Sequence, residues 1–221
     1  GVLLASPSNP TGTSVAFNEL TRIHQIVSKH DGVTLVDEIY LGLSYDSHFG
    51  QTALAIDDNI ISINSFSKYF HMTGWRLGWL VVPDALVPVV ERLAQNLFIC
   101  PSTPAQRAAV AAFQPDSLAE VEGRRLEFMR RRDLLVPALR RLGFGIPREP
   151  GGAFYVYADC SALCADSFVF ARALLEEAGV AITPGADFGA NAAARHVRFA
   201  YTREVPVLAE GVRRIREYLG R

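Results

Sequence analysis

The stretch Ser62–Trp79, SINSFSKYFHMTGWRLGW, carries a lysine in a chain that otherwise writes its positive charge as arginine. The 221 residues hold twenty arginines and two lysines, Lys29 and Lys68. Arginine stays protonated at any working pH, whereas burial or a neighbouring charge can deprotonate a lysine amine. A neutral amine attacks a carbonyl and forms an imine, which a guanidinium does not do. Lys68 is therefore a candidate nucleophile, with a surface lysine of no chemical task as the competing reading. Its neighbours in the chain are ordered. Asn9-Pro-Thr-Gly12 follows the first apolar run, Asp37-Glu-Ile-Tyr40 the second and Ser65-Phe-Ser-Lys68 the third, with Arg76 just ahead of the fourth.

The apolar runs are the elements that must position these groups. Gly1–Ser6, Val33–Val36, Ile60–Ile63 and Leu77–Val82 read as strands. Phe17, Leu20, Ile23, Ile26 and Val27 recur at helical spacing over Phe17–His30, and Asp31-Gly32 ends that helix. The strand–helix–strand order predicts a mostly parallel α/β sheet with a right-handed crossover. Such open sheets bind ligands outside the carboxyl ends of their strands, where these motifs fall. Asp84–Ala112 reads as helix interrupted at Cys100–Pro104, and Ser117–Leu142 as one long amphipathic helix stopped by Gly143. Beyond it, strands at Ala153–Tyr157 and His196–Tyr201 mix with helices at Ser167–Ala178 and Val205–Leu219. The expected organisation is an incomplete large domain over residues 1–128 and a smaller α+β domain over residues 129–221. Arg124–Asp133 reads as a solvated helix face, because its apolar residues recur at helical spacing between the arginines. Trp75 and Trp79 read as packing residues.

Composition narrows the class. A net charge of −1 leaves no electrostatic footprint for nucleic acid or an anionic membrane, so neither is expected as a partner. No run reaches the ~18 apolar residues of a membrane span. Cys100, Cys160 and Cys164 lack a second Cys or His pair at ligand spacing, so no metal site is expected. The opening GVLLASPSNP has no basic leader region. These features together point to a reduced, cytoplasmic setting.

In this order the motifs resemble those of the fold type I, pyridoxal-phosphate-dependent aminotransferases of class I/II. The carriers are Asn9-Pro-Thr-Gly12, Asp37-Glu-Ile-Tyr40, the Ser65-Phe-Ser-Lys68 loop, Arg76-Leu-Gly78, Pro150-Gly-Gly-Ala-Phe-Tyr155, Thr183-Pro-Gly185 and Val197-Arg-Phe-Ala200. The resemblance runs over essentially the whole chain and implies pyridoxal 5'-phosphate as cofactor. It implies amino acid and 2-oxo acid substrates, and a homodimer at full length. Lys68 would form the internal imine and then shuttle a proton. Asp37 would keep the pyridine nitrogen protonated. Tyr40 and Asn9 would bond the cofactor's phenolate oxygen, Asn9 also lying against the substrate. Ser65 and Arg76 would hold the phosphate. Arg198 would grip the substrate α-carboxylate.

The same resemblance marks a departure. Family subunits are much longer, and their N-terminal part carries a glycine- and serine-rich phosphate turn and a ring stacked on the pyridine. The chain is therefore expected to be a fragment, inactive alone. No second arginine for a distal carboxylate stands out, since Arg92 and Arg107 read as helix-surface residues. Two alternatives use the same framework: a carbon–sulfur lyase with this cofactor, and the effector domain of a transcription regulator.

Overall fold

The computed structural model describes residues 1–46 and 50–221. They divide into two compact units, residues 1–7 with 14–125 and residues 8–13 with 126–221.

The first unit is built on a four-stranded sheet of β1 (Val2–Ala5), β2 (Thr34–Asp37), β3 (Ile61–Ser65) and β4 (Gly78–Val81), in that spatial order. β1, β2 and β3 run parallel, and β4 pairs antiparallel to β3. Helix α1 (Phe17–Ser28) makes the first crossover. Thr34 and Val36, on one face of β2, are each 1% exposed, while Leu35 and Asp37 on the other face are half-buried. Leu20 of α1 packs with Val36, Ala53 and Ile60, and Leu4, Val15 and Ile56 close round them. Burial of each such aliphatic side chain is worth roughly 1.5–3 kcal/mol. Helices α2 (Val87–Leu97) and α3 (Thr103–Ala112) follow, each with proline in its first turn, where a missing N–H costs nothing.

Helix α4 (Pro115–Arg141) belongs to the first unit as far as Arg125 and to the second from Leu126. Gly143, at φ +95°, ends it in a backbone conformation that suits glycine. The second unit carries a three-stranded antiparallel sheet of β5 (Tyr155–Asp159), β6 (Thr183–Pro184) and β7 (His196–Ala200), in the order β5-β7-β6. Helices α5 (Ser167–Ala178) and α6 (Val205–Tyr218) complete it. Asp166 caps α5 by accepting from the N–H groups of Phe168 and Val169 at 2.8 and 3.1 Å. Among the described residues, no helix is long and apolar enough to cross a membrane.

Two expectations are corrected. The strand expected at Ala153 starts at Tyr155, because Ala153 adopts a left-handed backbone (φ 58°) that cannot join a ladder. The arginine-rich stretch is not uniformly solvated. The side chains of Arg125, Arg131 and Arg132 are only 14–17% exposed. They donate to the backbone carbonyls of Ser44, Thr202 and Pro150. Their long apolar stems are what make such burial affordable, so helical periodicity alone could not reveal it.

Candidate active site

In the first unit the candidate residues stand at the carboxyl ends of adjacent strands. Asp37 is the last residue of β2, and its carbonyl accepts from Ser6 N–H at 3.1 Å. Its Oδ1 accepts from Ile39 N–H at 3.0 Å. Among the described residues, no Lys, Arg or His forms an ion pair with it. Glu38 is 3% exposed and pins the strand end to β3. Its carboxylate accepts from Ser62 Oγ (2.6 Å), Ala53 N–H (2.6 Å), Thr52 Oγ1 (2.9 Å) and Asn64 Nδ2 (3.4 Å). This buried carboxylate had no signal in the sequence beyond standing next to Asp37, because its donors come from residues 52 to 64.

Tyr40 is buried and opens a short turn, Leu41–Leu43. The Lys68 Nζ lies 5.8 Å from the centre of its ring. Ser65 ends β3; its hydroxyl donates to the Leu77 carbonyl at 3.3 Å and accepts from Ser67 N–H at 3.0 Å. Thr73 Oγ1 donates to the Ser67 carbonyl at 2.6 Å and Met72 N–H to the Phe66 carbonyl at 3.0 Å, closing the lysine loop. Phe66 and Met72 anchor that loop with Ala109, and Trp79 packs on Phe66 at 4.9 Å. Trp75 stays 47% exposed, so packing explains only one of the two tryptophans. Arg76 has a left-handed backbone (φ 52°), is exposed, and donates from Nη1 to the Thr73 carbonyl at 3.0 Å.

In the second unit Asn9 and Arg198 meet. Arg198 Nη1 donates to Asn9 Oδ1 at 2.7 Å, and Nη2 to Thr183 Oγ1 at 3.3 Å. The guanidinium carbon lies 4.3 Å from the centre of the Tyr155 ring and 4.6 Å from that of Phe188. Its Nε is buried without a hydrogen-bond partner. Strand register explains the assembly: Arg198 on β7 stands opposite Tyr157 on β5 and Thr183 on β6. The Asn9 turn is fixed by Gly12, at φ +66°, where a Cβ would stand 2.7 Å from the Pro150 Cβ and 2.8 Å from the Tyr155 carbonyl oxygen. Tyr155 and Phe188 were not singled out as site residues, although period-two alternation along β5 puts Tyr155 and Tyr157 on one face.

The donor set fits pyridoxal phosphate. The Ser65 hydroxyl and the Arg76 guanidinium suit a phosphate, the Asp37 carboxylate suits a protonated ring nitrogen, and a lysine amine lies near a tyrosine ring.

A mostly parallel sheet followed by a smaller antiparallel α+β unit is the fold of the pyridoxal-phosphate-dependent aminotransferases. The chain belongs to the aminotransferase class I and II family, whose model matches residues 1–215, and members of that family depend on pyridoxal phosphate. It is 42% identical to the valine–pyruvate aminotransferase of Mycobacterium tuberculosis, over 99% of this chain and 57% of that protein. It is 36% identical to an aspartate/prephenate aminotransferase of Thermus thermophilus, over all of this chain and 56% of that protein. A crystal structure of an aminotransferase from M. tuberculosis superposes with a TM-score of 0.94 at 42% identity, covering 100% of this chain and 57% of that one. The chain therefore spans a little over half the length of the relatives it matches.

Proposed function

We propose that the protein carrying this chain is a transaminase that moves an amino group between an amino acid and a 2-oxo acid. The observation that carries the reading is the Arg198 cradle: a guanidinium held by neutral oxygens between two rings, with its Nε unpartnered. Such a group is arranged for a carboxylate that arrives from outside. The relatives named as valine–pyruvate and aspartate/prephenate aminotransferases support α-amino acids as the substrate class.

Pyridoxal phosphate, when bound, supplies an aldehyde carbon and an electron-accepting ring. On this reading Lys68 Nζ is the covalent anchor, and would afterwards carry the proton from the substrate α-carbon to the carbon that had borne the cofactor's aldehyde. The Asp37 carboxylate holds a proton on the ring nitrogen, and the Tyr40 hydroxyl and Asn9 amide orient the ring's oxygen. Ser65 and Arg76 bind the phosphate, and Arg198 fixes the substrate by its carboxylate. We assign the cofactor to residues 1–128 and the small domain to 129–221. The family resemblance further supports a homodimer in the cytoplasm, with activity residing in a polypeptide of the relatives' length.

Borohydride reduction of the cofactor-loaded, full-length protein followed by peptide mapping tests the anchor. The label is expected on the Lys68 peptide, and a label on Lys29 overturns the assignment. Lys68→Arg keeps the charge and is expected to lower turnover by at least about 10³-fold. Sustained turnover should require a 2-oxo acid; multiple turnovers without one would make the protein a lyase instead.

A further inference from the structure

The residue after the candidate anchor is a tyrosine, and its side chain touches two other parts of the first unit. The Tyr69 ring lies flat on Gly42, two residues beyond Tyr40. A Cβ at position 42 would stand 2.6 Å from the ring's Cγ and 2.9 Å from both Cδ atoms, so only glycine lets the ring lie there. The Tyr69 hydroxyl stands beside the Glu122 carboxylate on helix α4. Glu122 in turn accepts from Arg125 Nε at 2.8 and 2.9 Å, and Arg125 Nη1 donates to the Ser44 carbonyl at 3.1 Å. Ser44 ends the turn that Tyr40 begins, through Leu43 N–H to the Tyr40 carbonyl at 2.8 Å and Ser44 N–H to the Leu41 carbonyl at 3.0 Å.

We propose that Tyr69, Glu122 and Arg125 form a brace that positions Lys68 against Tyr40. The brace closes a ring of contacts. Tyr69 holds the lysine loop, Gly42 and Ser44 hold the tyrosine turn, and one turn of α4 grips both. A lysine side chain has four rotatable carbons, so the placement of its amine depends on how firmly the backbone at position 68 is held. Neither loop has regular ladder bonds at these positions, and side-chain tethers take over that task. The Arg125 guanidinium holds the Glu122 carboxyl below its usual range, with the Tyr69 hydroxyl adding to the effect, so the carboxylate stays available as the acceptor. Burial, with the neighbouring Glu122 charge, holds the Tyr69 hydroxyl above its usual range, which keeps it a donor. These three side chains position and do not touch the reacting atoms.

The inference rests on Lys68 being the anchor, and the experiment separates the two. In the full-length protein loaded with pyridoxal phosphate, the pH midpoint of the cofactor's absorbance change is measured together with kcat, KM and thermal stability. Gly42→Ala must displace the Tyr69 ring, and a misplacement approaching 1 Å is expected to lower kcat about 10- to 100-fold with KM for the amino acid little changed. The absorbance midpoint should move by about half a pH unit as the lysine environment changes. Tyr69→Phe keeps the ring and removes the hydroxyl beside Glu122, so it should shift both quantities in the same direction by less. It carries the test if Gly42→Ala does not fold. In a Tyr69→Ala background, Gly42→Ala should add almost nothing, because the ring it clashes with is gone. Variants that lose only thermal stability, with wild-type midpoint and kcat, overturn the brace. Absence of a borohydride label on Lys68 in the wild type overturns the anchor instead.

Discussion

Arg198 and Arg76 are both guanidiniums proposed to bind anions, and the two units hold them in opposite ways. Arg198 rises from a strand, has neutral oxygens on both terminal nitrogens, and is flanked by two aromatic faces. Arg76 lies in a loop, with a left-handed backbone and one bond to a carbonyl three residues back. A ligand that enters and leaves at every turnover gains from a grip ordered in advance, because each binding event otherwise repeats the cost of freezing a flexible side chain. A cofactor that stays bound needs its arginine ordered only once. On the proposed assignment, the pre-built cradle belongs to the substrate and the less constrained arginine to the phosphate.

The sharpest way to break this contrast is a pair of lysine substitutions in the full-length protein. Arg198→Lys replaces a fork with a point charge, and a charged hydrogen bond is worth roughly 1.5–3 kcal/mol, so kcat/KM should fall about 10- to 150-fold for every amino acid. Cofactor affinity should stay nearly unchanged. Arg76→Lys should do the reverse, weakening cofactor binding while kcat/KM at saturating cofactor stays close to wild type. Equal effects of both variants on kcat/KM would end the distinction.

A smaller effect is expected from the rings. Phe188→Leu leaves both hydrogen bonds of Arg198 in place and removes one aromatic face. Cation–π contacts contribute about 0.5–2 kcal/mol, so KM should rise roughly 2- to 30-fold with kcat preserved. Steady-state kinetics decide it; an unchanged KM would mean that Tyr155, Thr183 and Asn9 order the guanidinium without Phe188.

The smallest effect concerns stability in the first unit. Glu122 titrates below its usual value of 4.5, chiefly through its hydrogen bond from Arg125. A carboxylate with a lowered folded-state pKa contributes stability that is fully present above the unfolded value and is lost as pH falls through the folded one. Wild type should therefore exceed Glu122→Gln in Tm by a constant margin well above pH 4.5, and the margin should close in more acidic buffer. Calorimetry across that range tests it, and added salt should shrink the margin because both side chains are partly exposed. A margin independent of pH would assign the stabilisation to packing.

Local periodicity determined the elements. The 3.6-residue recurrence of Phe17, Leu20 and Ile23 marked α1, and short apolar runs marked four strands with the candidate residues at their ends. Lys68 stands out as a candidate nucleophile because the chain avoids lysine, and Arg198 stands out as a candidate through its motif. Each of these signals depends on residues within a few positions of one another. Tertiary structure alone decided the rest. Tyr155 reaches Arg198 through a register between strands, and Phe188 through the short helical turn Gly185–Phe188 after β6, neither of which a local pattern specifies. Arg125 looked like a surface residue until Ser44, far away in sequence, came within 3.1 Å. Glu38 is acceptable as a buried carboxylate only because Thr52, Ala53, Ser62 and Asn64 converge on it. Spacing along the chain encodes which side chains share a face of one element. Which elements then meet is set by burial and hydrogen-bond satisfaction summed over the whole fold, and that sum has no local signature.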